Sequence, residues 1–287
     1  MTIKELIPIC EGILRSGGVE EFKNDAETLL GFVLGFSKKK IFMNWTYRVE
    51  SEYCDRYFDL ANMRAAGMPL QYITGKQYFM EHELDVTEDV LIPRQDTERI
   101  VEIALDTIAN MQNVKNVLDL CTGSGAIAIS LAFKYSKLKF LGTDISPKAI
   151  KVAKANAGKN KVYGNTNFIE SDLFSDIKSG AFGKKFELIV SNPPYIRTEE
   201  IPLLQREVQH EPRMALDGGS DGLAYYRRIA TECKPYIKKG TVILLEVGYD
   251  QAKEVCGILR DSGFSAFEIH KDYGGFERVV KARFEQS

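Results

Sequence analysis

The tetrapeptide Asn192-Pro193-Pro194-Tyr195 follows the apolar run Leu188-Ile189-Val190. Its residue types suit one kind of chemistry. Two consecutive prolines fix φ twice and remove two N–H donors, so the backbone is stiff and its carbonyl oxygens face whatever lies in front. Asn192 adds an amide that both accepts and donates, and Tyr195 adds a flat aromatic face. The set fits a planar substrate that carries an NH2 group. Asn192 and the Pro193 carbonyl would accept its two N–H hydrogens while Tyr195 stacks on its plane. Such a nitrogen has a delocalised lone pair and is a weak nucleophile. Two acceptors orient it and favour the positive charge that develops as it attacks. A rigid turn that merely caps a strand is the plainer reading of an arbitrary Pro-Pro pair. The flanking Asn and Tyr, placed after a strand, favour the chemical one.

A second cluster is Asp119-Leu120-Cys121-Thr122-Gly123-Ser124-Gly125-Ala126, an apolar run leading into a turn of small residues and then a helical pattern. Glycines let the backbone turn tightly and approach a ligand. Asp144 ends the next apolar run about 20 residues beyond, the spacing at which an acid holds a ribose hydroxyl. A nucleoside-containing cofactor is expected. The stretch also fits G-x-G-x-x-A, a dinucleotide fingerprint. Asp119 tips the balance, because a carboxylate before the turn repels a pyrophosphate. It favours a ligand with cationic groups, such as the ammonium and sulfonium of S-adenosylmethionine (SAM). The turn lacks the lysine of an ATP-binding P-loop.

These clusters need a scaffold. Residues 1–75 read as helical, with Leu6, Ile9, Cys10, Ile13 and Leu14 at helix spacing. Pro8 is expected to kink or delay the first helix, and Asn24 with Glu27 resembles a capping box at the start of the second. Trp45 is expected in the core of this region. Residues 76–93 read as a β-hairpin linker, with Thr87-Glu88-Asp89 as a turn. Residues 94–287 alternate strands with helices. Strands are expected at 116–120, 138–143, 187–191, 241–247, 265–270 and 277–282. Helices between most of them imply an α/β fold with a mostly parallel sheet. The gap before the final strand is too short for a crossover helix, so the last pair should be antiparallel.

Composition excludes other classes. The chain has 287 residues, 44% hydrophobic and 27% charged, with a net charge of -2. That is ordinary for a globular protein and disfavours a strongly basic nucleic-acid binder, while leaving room for a local basic patch. Residues 1–75 carry nine basic and ten acidic side chains, so they form no basic arm. No apolar run reaches the roughly 18 residues of a membrane span, and the N-terminus lacks a signal-peptide core. The expected location is the cytoplasm, and a monomer is the simplest state. Five scattered cysteines show no C-x-x-C spacing, and three isolated histidines show no ligand spacing, so no metal site is expected.

With these motifs in place, the chain resembles the release factor glutamine methyltransferase family (PrmC/HemK) over nearly its whole length. Pro69-Leu70-Gln71-Tyr72-Ile73-Thr74-Gly75, Glu211-Pro212 and Gly218-Gly219-Ser220-Asp221-Gly222-Leu223 carry the narrower part of the likeness. Leu91-Ile92-Pro93-Arg94, Leu245-Glu246-Val247-Gly248 and Glu277-Arg278-Val279-Val280 fit as well. The departures are Gln95-Asp96 in place of Pro-Glu, Cys121 where glycine is common, and Gly275-Phe276 in the terminal segment. The resemblance implies a Rossmann-like SAM methyltransferase sheet behind a small helical domain that docks the substrate. It implies methylation of the side-chain N5 of a glutamine in the Gly-Gly-Gln loop of class I peptide chain release factors, with S-adenosylhomocysteine as product. By that analogy Asp119, Cys121, Thr122, Gly123, Ser124, Gly125, Asp144, Ile145, Asp172, Leu173 and Asn192 bind the cofactor. Asn192, Pro193, Pro194 and Tyr195 hold the glutamine, and Arg94 lines the substrate mouth or forms a surface ion pair with Glu98. The runner-up is an amino-methyltransferase acting on DNA adenine or ribosomal RNA guanine. An inactive binding module and an NAD-dependent dehydrogenase are the readings from other classes.

Overall fold

A computed structural model describes residues 1–178 and 185–285. The chain forms two compact units. One comprises Met1–Lys76 together with Gln205–His210, and the other Gln77–Leu204 with the chain from Glu211 onward.

The first unit holds five helices, α1 (Ile3–Ser16), α2 (Phe22–Leu34), α3 (Lys38–Met43), α4 (Ser51–Ala65) and α5 (Leu70–Thr74). The capping box forms at Thr2 and Glu5, where the Glu5 carboxylate accepts the Thr2 N–H at 2.8 Å. Pro8 sits inside α1 without ending it. The box expected at Asn24 does not form, because α2 already starts at Phe22 and Asn24 lies within it, bonded to Lys38. Ile3, Leu6, Leu14, Leu29, Leu30 and Tyr57 pack as the core. Trp45 is only partly buried and stacks on Phe42, with ring centroids 6.0 Å apart. One buried cation organises the polar side of this unit. Arg64 Nε donates to Asp25 at 2.8 Å, and its Nη1 donates to Glu207 at 2.9 Å. Asp25 and Arg64 are both buried, so neither charge is shielded by water if its partner is removed.

A two-stranded hairpin follows, β1 (Lys76–Phe79) and β2 (His82–Asp85). Its turn falls at Met80, in left-handed backbone at φ 51°. The turn expected at Thr87–Asp89 exists locally, through Val90 N–H to Thr87 C=O at 3.1 Å, but it joins no strands. Phe79 and Leu84 are buried in the core of the second unit. The central sheet comes next, built from β3 (Asn116–Leu120), β4 (Lys139–Asp144), β5 (Thr166–Glu170), β6 (Leu188–Ser191), β7 (Val242–Glu246), β8 (Phe264–Lys271) and β9 (Glu277–Phe284). Its order is β5-β4-β3-β6-β7-β9-β8. The strands through β7 run parallel, and β9 runs antiparallel to both its neighbours. β5 has no counterpart among the strands expected from sequence: it is an edge strand in which only Phe168 is buried.

Helices cover both faces: α6 (Gln95–Asn110), α7 (Ala126–Lys134) and α8 (Pro147–Lys159) on one, α9 (Ala224–Glu232) and α10 (Ala252–Asp261) on the other. Strand residues alternate between the two apolar layers. Val117, Leu188, Val190 and Leu244 enter the first, whereas Leu118, Ile189, Ile243 and Leu245 enter the second. Burial on both faces fixes the register, since a slip of one residue would exchange the layers.

Replacing Arg64 with alanine should cost the first unit about 3–5 kcal/mol, because Asp25 is left buried and unpaired. Replacing Arg64 by Met and Asp25 by Leu together should recover most of that loss. Urea unfolding followed by circular dichroism measures both.

Candidate active site

The parallel register brings the carboxyl ends of β3, β4, β6 and β7 to one edge of the sheet. Leu120 lies opposite both Thr143 and Ser191, and Ser191 lies opposite Leu245. A cleft opens there, at the strand-end edge where open α/β sheets hold their ligands. Cys121 and Gly123 border it from the first strand end, Asp144, Ile145 and Ser146 from the second, Asp172 and Leu173 from beyond β5, and Asn192 and Pro194 from beyond β6. Among the described residues its lining carries three carboxylates (Asp89, Asp144 and Asp172) and no basic side chain.

The turn after β3 is held from below. Asp119 is buried, and its Oδ2 accepts the Thr122 hydroxyl at 2.6 Å and the Ala128 N–H at 3.2 Å. It thereby caps the first turn of α7. Its Oδ1 has no partner, and burial pushes the carboxyl up to about 7. Gly123 and Gly125 take left-handed backbone at φ 54° and 84°, as does Cys121 at 57°. A side chain costs about 1–2 kcal/mol in that region, so Cys121 bears a strain that glycine would not. The Cys121 thiol is pushed up by burial and by the carboxylates around it, and is no nucleophile.

Asp144 reads the same turn from the neighbouring strand. Its Oδ2 accepts the Gly123 N–H at 2.9 Å and its Oδ1 the Ser146 N–H at 2.9 Å. A carboxylate offers about four acceptor positions, so Asp144 keeps capacity toward the cleft that it borders. Asp172 pairs with Arg228 at 2.9 Å. Asn156, which sequence reasoning missed, is fully buried and donates to the Ser124 carbonyl at 3.0 Å while accepting the Asp85 N–H at 2.7 Å.

Past β6, Asn192 donates its Nδ2 to the Thr97 hydroxyl oxygen at 3.1 Å. Tyr195 is held by its backbone: its carbonyl accepts Gln251 Nε2 at 2.9 Å. The segment from Gly218 to Gly222 closes over it. A Cβ on Gly218 would lie 2.7 Å from Tyr195 Cα, and one on Gly222 would lie 2.4 Å from the Tyr195 carbonyl oxygen. The glycines of that motif are therefore spacers for the tetrapeptide. Burial raises the Tyr195 phenol well above its usual range, so it stays neutral.

The cleft gathers Cys121, Gly123, Asp144, Ile145, Asp172, Leu173, Asn192 and Pro194. It does not reach Asp119, Thr122, Ser124, Gly125, Pro193, Tyr195 or Arg94. Arg94 pairs with the buried Glu211, which also accepts the Ile92 N–H at 2.9 Å. Glu98, expected to partner Arg94, instead accepts the Met80 N–H at 2.6 Å. Sequence reasoning missed Asp89, Val90, Leu91, Pro212, Met214, Ala215 and Tyr225 as lining residues. The Leu91–Arg94 and Glu211-Pro212 motifs held the signal for Leu91 and Pro212. Among the described residues no acidic, His or Cys cluster fits a metal ion, and no helix is long and apolar enough to cross a membrane.

Substitution of Cys121 by glycine should keep the fold and raise its stability by up to about 1 kcal/mol, relief of strain being partly offset by glycine's greater freedom when unfolded. Gly218→Ala should cost about 1–3 kcal/mol through overpacking against Tyr195. Thermal or urea denaturation of the pair checks the contrast in sign.

Known proteins match this architecture. A family model described as "Methyltransferase small domain" matches residues 78–221, and one described as "PrmC N-terminal domain" matches residues 5–75. The chain is 43% identical to a release factor glutamine methyltransferase of Clostridium acetobutylicum, covering 98% of each chain. It is 36% identical to that of Moorella thermoacetica, again over 98% of each. Among solved structures, "Human methyltransferase 10 domain containing protein" superposes with a TM-score of 0.53 at 15% identity, covering 80% of this chain and 98% of that one. A methyltransferase from Pyrococcus furiosus gives 0.51 at 17%, covering 71% and 89%. These two likenesses concern the fold. The full-length relatives, the two matching models and the strand-end motifs lead to one conclusion: the chain belongs to the release factor glutamine methyltransferase family.

Proposed function

We propose that this protein transfers a methyl group from SAM to the side-chain N5 of the glutamine in the Gly-Gly-Gln loop of class I release factors. One observation carries the reading: Asn192 and Pro194 border the same cleft as Asp144 and Asp172. The group that would hold an amide and the acids that would hold a nucleoside face one space. The acidic lining fits SAM, whose sulfonium and ammonium are cationic, and opposes a pyrophosphate. Relatives named release factor glutamine methyltransferase, matched over 98% of the chain, support the substrate.

SAM supplies an electrophilic methyl group on a positively charged sulfur. The chain's residues do the rest. The Cys121–Gly125 turn, with left-handed backbone at Gly123 and Gly125, gives close backbone approach. Asp144 accepts the ribose hydroxyls with its unused acceptor capacity, and Asp172 with Leu173 flanks the adenine, as Ile145 does from the next turn. Asn192 Oδ1 accepts one N–H hydrogen of the glutamine amide, and the Pro193 carbonyl, set between the lining residues Asn192 and Pro194, accepts the other. They hold its nitrogen in line and stabilise the positive charge that grows on it. As the new C–N bond forms and the C–S bond breaks, the nitrogen becomes acidic, and its surplus proton leaves to solvent. No strong base is needed for that late step. Tyr195, neutral and anchored by its backbone, is a shape element beside the amide and does not take the proton. Arg94 orders the rim by fixing Glu211. The helical unit 1–75 docks the release factor, and the hairpin after it connects it to the catalytic unit. The enzyme works as a cytoplasmic monomer.

Asn192→Ala should lower methyl transfer to a purified release factor by at least about a hundredfold, the cost of one preorganised polar contact. Its SAM dissociation constant should move only a few-fold. Asp144→Ala should chiefly weaken SAM binding. Calorimetry beside radiolabel transfer separates the two. Near-normal turnover by Asn192→Ala, or unchanged SAM binding by Asp144→Ala, would contradict the assignments.

A further inference from the structure

Glu246 ends β7 and is 1% exposed. One residue beyond the Ser191–Leu245 pair, Asn192 and Glu246 stand at adjacent strand ends. Thr97, in the first turn of α6 and 4% exposed, meets these ends: its hydroxyl oxygen accepts Asn192 Nδ2 at 3.1 Å. A hydroxyl that accepts one hydrogen bond still has a proton to give. Beside it, Glu246 Oε2 is a buried acceptor with no hydrogen bond of normal geometry, and the Thr97 and Tyr195 hydroxyls are the donors that face the carboxylate. An unsatisfied acceptor next to an uncommitted donor is a pairing that burial strongly favours.

We propose that Glu246 and Thr97 form a relay that sets the direction of the Asn192 amide. The ionised Glu246 carboxylate accepts the Thr97 proton. Thr97 Oγ1 must then accept from Asn192, and Asn192 Oδ1 is left facing the cleft as an acceptor. If Glu246 is protonated, it donates to Thr97, and the Thr97 proton turns to Asn192. The Asn192 amide then reverses and presents NH2 to the substrate's own NH2. The role rests on the glutamine-amide reading above. Glu246 and Thr97 are positioning residues, since neither borders the cleft.

Among the described residues the groups around Glu246 are few. Thr97 and Asp96 face it from α6, Tyr195 from the segment after β6, and Arg278 from β9. Arg278 is shared with Asp272 at 3.0 Å, Asp96 at 3.4 Å and the Val247 carbonyl at 3.2 Å. Tyr226 of α9 commits its hydroxyl to the Glu246 backbone carbonyl at 2.8 Å. Desolvation outweighs these partners and raises the Glu246 carboxyl to about 7. The relay therefore switches near neutrality, and transfer rises with pH as Glu246 ionises.

The test is kcat against pH, with saturating SAM and release factor. Wild-type kcat should fall on the acid side about tenfold per pH unit below a midpoint near 7. Glu246→Gln, whose carbonyl accepts at every pH, should lose that limb. Thr97→Val should lower kcat about tenfold or more with SAM affinity unchanged, and Thr97→Ser should restore most of the rate. An acid limb that survives Glu246→Gln, or a Thr97→Val enzyme with wild-type kcat, would overturn the relay. The side-chain NH2 resonance of Asn192 in the free protein is a second readout. It should titrate with Glu246 in the wild type and not in Glu246→Gln; a resonance constant across that range would overturn the relay. A wild type that transfers nothing to release factor would defeat the substrate reading instead, and this resonance would still decide the relay.

Discussion

The parallel register of β3, β4, β6 and β7 is the constraint on which the site depends. It brings four strand ends to one edge with hardly any stagger. The residues at or just past each strand end are then brought to that one edge: the glycine turn, Asp144, Asn192 and Glu246. The register is itself held by apolar layers on both faces of the sheet. Chemistry at the edge is therefore sustained by packing far from it, and a single-residue slip would disperse every functional group at once.

At this edge the protein accepts several buried carboxyls. Burial raises Asp119, Asp144, Glu211 and Glu246 above the usual carboxyl range. Each is tied to a piece of backbone or side chain that has to stay still. Asp119 holds the start of α7, Asp144 holds Gly123, and Glu211 holds Ile92 and Arg94. Glu246 adjoins the Thr97–Asn192 bond. The acids on the cleft wall give it a negative lining suited to a cationic ligand, and those behind it set the turns that shape the wall. Composition alone separates neither kind, because both count equally toward the net charge.

Much of this architecture is legible in the amino-acid sequence. Strand–turn–helix around Cys121–Gly125 and the tetrapeptide after β6 place the site, because glycine and proline act locally through φ. Alternating strands and helices announce the parallel sheet, and the short gap before the final strand announces its antiparallel end. Less legible are the features decided by tertiary contact. β5 reads weakly because an edge strand buries one side chain. The hairpin turn lies at Met80, a residue with no turn signature, while Thr87–Asp89 has one and joins nothing. Asp119 looks like a ligand group by spacing, yet it lies under the turn as a cap. Arg94 and Tyr195 sit in informative motifs, but pairing with Glu211 and anchoring by Gln251 turn them to support. Asn156 and Thr97 give no signal, since a lone Asn or Thr matters only through its partner far along the chain.

The central claim is that the cleft joins SAM to a glutamine side-chain amide. It is tested most directly by incubating the protein with methyl-labelled SAM and purified release factor, then locating the label by peptide mass mapping. The account predicts one added methyl, on the side-chain nitrogen of the Gly-Gly-Gln glutamine. Label on another residue, or on RNA or DNA from the same lysate with none on the release factor, would contradict it.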